Sequence, residues 1–239
     1  MSPAAQTERK PVRVLALVGS PRPGGNSTIM ADRLLRGAAD RGAAVERVDL
    51  ATCTIHPCQG CLRCNVRQRC VLEGDDWPQL SAQISAADVV VFSSPIYFHH
   101  VSAPLKQVID RFRSFVRVQL TETGLVHTPW QPWRKRLIVL ASMGASDPEE
   151  ARPVRELFTF IAGILGPAVT FDLVLGRRLA VARQVSMRPE RLARVYSGLG
   201  LPPALARQDA AWNRRLLAHC YRVGAGLVEP ACDARQNRL

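Results

Sequence analysis

Five short apolar runs, each followed by a segment with a different pattern, constrain this chain more than anything else in it. They cover residues 12–18, 44–50, 88–93, 136–142 and 168–175. Each is far shorter than the roughly 20 residues that cross a bilayer, so no membrane span is expected. Each is also too continuous in its apolar character for a strand with one wet face. Four intervening segments carry helical spacing: 26–42, opened by Asn26-Ser27-Thr28, then 75–86, 102–116 and 147–164. Strand and helix therefore alternate, which predicts an α/β fold: a three-layer sandwich with a five-stranded parallel sheet between helices. Apolar residues make up 47% of the 239, enough to fill such a core. After residue 176 the pattern changes to Arg-rich, Pro-broken helical segments at 188–198 and 203–227. The predicted organisation is a loose tail 1–11, an α/β domain 12–176 and a helical C-terminal extension 177–239. Residues 117–133, which hold Trp130 and Trp133, read as irregular.

In an open parallel sheet, ligands bind beyond the carboxyl ends of the strands. The loops after strands one to four share that edge, and the unusual residues sit in them. The first loop reads Gly19-Ser20-Pro21-Arg22-Pro23-Gly24-Gly25-Asn26-Ser27-Thr28. It leads into a helix N-terminus, whose free amides and dipole favour an anion. Gly25 and Asn26 replace the Lys and Ser/Thr of a nucleotide-binding P-loop, and the G-x-G-x-x-G of a dinucleotide site is missing. What remains is a loop suited to one terminal phosphate held without a metal, or a plain glycine-rich turn. The third loop, Ser94-Pro95-Ile96-Tyr97-Phe98-His99-His100-Val101, puts large apolar groups where loops are usually polar. That composition builds a slot for a planar ligand, or covers a sheet edge or subunit contact. Nothing nearby orients His99 or His100 for catalysis, and no catalytic residue is assigned.

The second loop, 53–74, holds five of the seven cysteines. Cys58, Cys61, Cys64 and Cys70 follow the spacing C-x2-C-x2-C-x5-C. An opening run of this kind holds three corners of a 4Fe-4S cube in bacterial ferredoxins. Structural zinc sites more often split four cysteines into two knuckles with a longer spacer. A disulfide pair or plain free thiols are the other readings. Cys53, Cys220, Cys232 and His56 need no role beyond packing or surface.

The first loop, together with Ser94-Pro95-Ile96-Tyr97-Phe98-x-x-Val101-Ser102-Ala103-Pro104-Leu105-Lys106-x-x-Ile109-Asp110-Arg111, resembles the NADPH-dependent FMN reductase group of flavodoxin-like proteins over residues 12–176. The compact cysteine motif followed by Asp75-Asp76 resembles the iron–sulfur flavoprotein branch of that group. The resemblance implies a flavodoxin-like sheet of order 2-1-3-4-5. It implies FMN, with the phosphate on Ser20, Arg22, Asn26, Ser27 and Thr28. The flavin ring would lie on Pro95, Ile96, Tyr97, Phe98 and His99, with Ser142 and Gly144 on its other edge. It also implies a 4Fe-4S cluster on Cys58, Cys61, Cys64 and Cys70.

On that basis an FMN-dependent oxidoreductase is expected, exchanging electrons with a ferredoxin-type carrier or NAD(P)H and with a small-molecule or protein acceptor. The cysteine loop is expected to approach the flavin loop, because the second strand neighbours the first. An NAD(P)H-dependent FMN or quinone reductase without a cluster, and a non-enzymatic redox sensor or electron carrier, are the alternatives. A homodimer or higher homo-oligomer is expected from the resemblance. Lys and Arg total 32 against 20 Asp and Glu, a net charge of +12. The basic residues are scattered, so nucleic acid is not an expected partner, while an acidic electron carrier suits the surface. The polar N-terminal residues do not form a secretory signal, and a cytoplasmic location is expected.

Overall fold

The computed structural model describes residues 10–228, so most of the tail, Cys232 and the final residues lie outside the described part. The elements in chain order are β1 (Arg13–Val18), α1 (Asn26–Ala39), β2 (Ala44–Asp49), α2 (Cys64–Arg67), α3 (Trp77–Ala86), β3 (Val89–Tyr97), β4 (His100–Val101), α4 (Ala103–Arg111), β5 (Val116–Thr121), β6 (Gly124–Pro129), β7 (Arg136–Ser142), α5 (Arg152–Leu165), β8 (Thr170–Gly176), α6 (Pro189–Gly198) and α7 (Leu205–Ala225). The main sheet runs β2-β1-β3-β7-β8, every neighbour parallel. That is the expected 2-1-3-4-5 order in a flavodoxin-like fold.

The apolar runs are continuous because alternate residues enter different cores. Val14, Ala16 and Val18 of β1 face α1 and α7, where they meet Met30, Leu34 and Cys220. Leu15 and Leu17 face the other layer, with Trp77, Leu105 and Phe158 from α3, α4 and α5. Burying each Leu fully stabilises the fold by about 1.5–3 kcal/mol. Strand β2 departs from the two-sided pattern. It is an edge strand whose first four residues are exposed, and Arg47 pairs there with Asp32 and Asp49 at 2.5 and 2.9 Å.

The C-terminal helices are present as α6 and α7, and α7 closes the layer begun by α1. Their backbones approach closely at Gly37 and Gly224. A methyl group on Gly37 would overlap the carbonyl oxygen of Tyr221, and one on Gly224 that of Leu34. Among the described residues, no helix is long and apolar enough to cross a membrane.

Three local expectations are corrected. Residues 117–133 are mostly not irregular: β5 and β6 form an antiparallel hairpin from Val116 to Pro129. Helix α4 stops at Arg111, and Phe112–Phe115 tighten into a 3-10 turn. That turn delivers Phe112 and Phe115 to a cluster with Trp77 and Trp133, with ring centroids 5.1–6.3 Å apart. Strand β3 does not end at Ser93. It runs to Tyr97 and pairs back with β4.

Candidate functional site

At the carboxyl edge of the sheet, buried serines fasten the loops together. Ser93 Oγ donates to the Ser27 carbonyl at 2.8 Å and Ser102 Oγ to that of Gly19 at 2.6 Å. The hydroxyls of Ser27 and Ser142 share a hydrogen bond of 3.0 Å. A cleft opens above them, lined by Ser20, Arg22, Gly25, Asn26, Ser27, Pro95, Ile96, Tyr97, Ser142, Met143 and Gly144, with Leu179, Ala180 and Ala182 as a further wall.

One end of this cleft is built for an anion. The first helical bond of α1 runs from the Ile29 amide to the Gly25 carbonyl at 3.0 Å. The amides of Asn26, Ser27 and Thr28 therefore have no helical acceptor. No acidic side chain occupies the first turn to balance them, and Arg22 stands exposed beside them. No side chain caps the helix: Gly25 stands at the cap position and Asn26 begins the helix. The Asn26 side chain is spent elsewhere. Its Nδ2 donates to the carbonyls of Leu179 and Val181 at 3.4 and 2.9 Å, and its Oδ1 accepts from the Val185 amide at 3.0 Å. It thereby hooks the segment 179–185 across the cleft.

The cysteine loop forms a second feature. Cys58, Cys61, Cys64 and Cys70 line one cavity, walled also by Leu62, Arg111 and Arg113. Gly60, Leu62 and Gln68 all have positive φ, at 64°, 56° and 55°. For Leu62 and Gln68 this conformation costs about 1–2 kcal/mol each. Such strain persists only where the surroundings impose it. Asn65 docks the loop on β5, its amide pairing with both backbone groups of Val118 at 2.8 and 3.0 Å. Arg113 donates to Cys64 Sγ at 3.6 Å and to Asn65 Oδ1 at 2.9 Å. Burial pushes the Cys64 thiol up, with Arg113 opposing.

The four cysteines are free thiols. At the cavity wall, Arg111 is fully buried and its Nε has no hydrogen-bond partner. An unmet donor beside four thiols fits an anionic sulfur-rich group there. Among the described residues no set of three His, Cys, Asp or Glu side chains is gathered to hold a metal ion as it stands.

The family model for NADPH-dependent FMN reductase matches residues 12–176. The chain belongs to this family. Relatives named iron-sulfur flavoprotein match it directly. One from Methanocaldococcus jannaschii is 36% identical over 102 residues, 43% of this chain and 52% of its own length. One from Archaeoglobus fulgidus is 28% identical over 167 residues, 69% of this chain and 71% of its own. The chain thus spans about half the length of the first relative. An NAD(P)H:quinone oxidoreductase from Methanothermobacter marburgensis shares the fold, with a TM-score of 0.61 at 17% identity over 93% of this chain and all of that one. An azoreductase from Bacillus anthracis has a TM-score of 0.56 at 16% identity, over 90% of this chain and 99% of that one.

Of the family positions read from sequence, Ser20, Arg22, Asn26, Ser27, Pro95, Ile96, Tyr97, Ser142 and Gly144 meet round the cleft. Thr28, Phe98 and His99 do not line it. Thr28 is buried in α1. Phe98 and His99 form the two-residue turn between β3 and β4, with φ of 48° and 63°, the conformation of a type I′ turn. That turn leaves Phe98 fully exposed and His99 against the Glu150 carbonyl at 3.3 Å.

The cleft and the cysteine cavity share no lining residue. They lie at opposite ends of α4, a nine-residue helix about 13 Å long. The expected approach of the cysteines to the flavin loop is therefore not seen within one chain. The loop is long, and its cysteine turn docks on β5 instead of the sheet edge. Sequence reasoning missed Leu179, Ala180 and Ala182, which carry no motif and are held at the cleft by long-range bonds from Asn26 and to the Met143 carbonyl.

Proposed function

We propose that the chain is an FMN-dependent oxidoreductase carrying a 4Fe-4S cluster, and that it passes electrons between a ferredoxin or NAD(P)H donor and a small-molecule or protein acceptor. The observation that carries the flavin part is the cleft itself. Three unpaired amides and Arg22 stand at one end, and Pro95, Ile96 and Tyr97 at the other. Bound flavin accepts electrons in pairs or singly, and an iron–sulfur cluster exchanges them singly. The loop amides would hold the flavin phosphate, and Ile96 and Tyr97 would offer apolar surface to the ring. The Ser27–Ser142 hydrogen bond fixes the floor between them.

The cluster part rests on four thiols round one cavity and on the unmet Arg111 Nε beside them. The relatives named iron-sulfur flavoprotein support it. Cys58, Cys61, Cys64 and Cys70 are the ligands, and Arg111 and Arg113 offset the charge of four thiolates. The exposed Phe98, Leu120, Leu125 and Phe160 suit contact with another copy in a homodimer or higher homo-oligomer.

The test is an absorption spectrum with iron and sulfide analysis of anaerobically purified protein, wild type against Cys61→Ser. Flavin bands over a broad shoulder that bleaches on reduction are expected. Cys61→Ser should lose iron and keep flavin. Flavin without iron in the wild type would leave a plain FMN or quinone reductase. Iron retained in Cys61→Ser would break the ligand assignment.

A further inference from the structure

The segment between β8 and α6 lies beyond the stretch that the family model matches, yet it forms part of the cleft. A buried network anchors it. Gln184 donates to the Arg178 carbonyl at 2.6 Å and to Tyr196 Oη at 2.8 Å, and accepts from the Val181 amide at 3.1 Å. Asn213 of α7 donates to the Gln184 carbonyl at 3.2 Å. Arg178 grips Asp209 at 2.7 and 3.1 Å, and the Tyr196 hydroxyl donates to the same carboxylate at 2.8 Å. The segment is thus a rigid strap.

The strap turns at Arg183, whose φ of 59° is left-handed, a conformation unfavourable for a residue with a side chain. Opposite it stands Gly24 of the phosphate loop, itself at φ 66°. A Cβ on Gly24 would lie 3.3 Å from Arg183 Nε, 3.4 Å from Nη2 and 3.6 Å from Cζ. The missing side chain of Gly24 is the space the guanidinium sits against. Among the described residues Arg183 makes no ion pair and no side-chain hydrogen bond, and neither does the Arg22 guanidinium. Two unpaired guanidinium groups therefore stand at a loop that already presents three free amides and no acid. Both groups are exposed and hydrated as they stand, and their positive charge at a loop without an acid favours a doubly charged ligand there.

We propose that Arg183 is a second phosphate anchor of the flavin site, supplied by the C-terminal strap, and that it sets the preference for phosphorylated flavin over riboflavin. This rests on the reading of the cleft as an FMN site. A charge-assisted hydrogen bond to phosphate is lost with the guanidinium. Arg183→Ala should therefore raise the Kd for FMN about 10-fold or more. Its Kd for riboflavin should stay within about 2-fold, since riboflavin lacks the phosphate. The salt dependence of FMN binding should also flatten. Arg183→Lys should recover part of the affinity as a point charge.

The experiment is fluorescence titration of flavin-free full-length protein with FMN and with riboflavin at two ionic strengths. Arg41→Ala, past the C-terminal end of α1, removes an equal charge at the opposite end of that helix from the loop and should match wild type. Arg183 is exposed, so its truncation should leave the thermal melt unchanged. Wild-type FMN affinity in Arg183→Ala overturns the proposal alone. Equal weakening of FMN and riboflavin overturns it too, because the strap would then act only by packing. A wild type that binds neither flavin overturns the underlying site reading, and the proposal with it.

Discussion

The Arg111 guanidinium meets the Asp75 carboxylate at 2.5 Å with neither side chain reaching solvent. The same carboxylate accepts the amides of His56 at 2.9 Å and Trp77 at 3.2 Å, and Arg111 lies 5.2 Å from the Trp77 ring centroid. The pair pins the end of the cysteine loop to the end of α4.

Breaking that pair should be costly. Burial opposes the Asp75 charge, but the hydrogen bonds from Arg111, His56 and Trp77 outweigh it and hold the carboxyl below its ordinary value. A depressed folded pKa gives stability that is full above about pH 4 and is lost as pH falls through the folded value. Asp75→Asn should cost about 3 kcal/mol at pH 7 by leaving Arg111 uncompensated. The gap to wild type should narrow in acid. Urea unfolding at both pH values checks this, and equal midpoints at pH 7 would refute it.

The thiols should react in order of access. Cys61 is exposed, whereas Cys220 is wholly buried and its thiol is pushed up to about 12 by burial. Folded protein stripped of iron and treated with iodoacetamide should be alkylated at Cys61 early and at Cys220 only after denaturation. Peptide mass spectrometry reads both sites. Fast native labelling of Cys220 would contradict the packing of α7 on the sheet.

Two glycine-to-alanine changes should have opposite signs. In Gly224→Ala the new methyl overlaps the Leu34 carbonyl and sits 3.1 Å from the Ala38 amide nitrogen. Backbone cannot step aside cheaply, so about 1–3 kcal/mol should be lost, and Tm should drop by roughly 3–8 °C. Gly163 lies inside α5 with nothing within 4 Å of its would-be Cβ. Gly163→Ala should be neutral or stabilising by up to about 1 kcal/mol. Differential scanning calorimetry of the two variants separates them, and a Gly224→Ala melt at the wild-type temperature would show that the helices yield.

Asn26→Ala should free the strap. Three hydrogen bonds to the strap backbone are lost, at about 1 kcal/mol for each. Trypsin should then cut faster after Arg183, and FMN and riboflavin should both bind more weakly because a wall of the cleft has loosened. Unchanged proteolysis would mean the anchors on α6 and α7 suffice without Asn26.

The five strands were legible because the central strands β1, β3 and β7 carry apolar runs that no helix or wet strand would use, while their order followed from the family resemblance. The β5–β6 hairpin was not, since Arg117, Gln119, Leu120, Leu125 and His127 face mainly outward and leave a weak alternation. Phe98-His99 hid a tight turn because type I′ turns normally announce themselves with Asn or Gly. Asn26 reads as a helix cap from its position alone. Its actual partners lie at least 153 residues away, a distance at which local rules are silent. The cysteine spacing was legible, while its position at the far end of α4 depends on the hairpin that was missed.

The Asn26–Val185 hydrogen bond spans 159 residues, and that span has a consequence for biosynthesis. At roughly 5–20 residues per second, a ribosome needs roughly 8 to 30 s to travel it. The first loop emerges early, but its strap waits for Asp209 and Asn213 on α7. The pocket is therefore built from parts made far apart in time, and a nascent chain has no complete seat for its cofactor until residue 213 has left the ribosome.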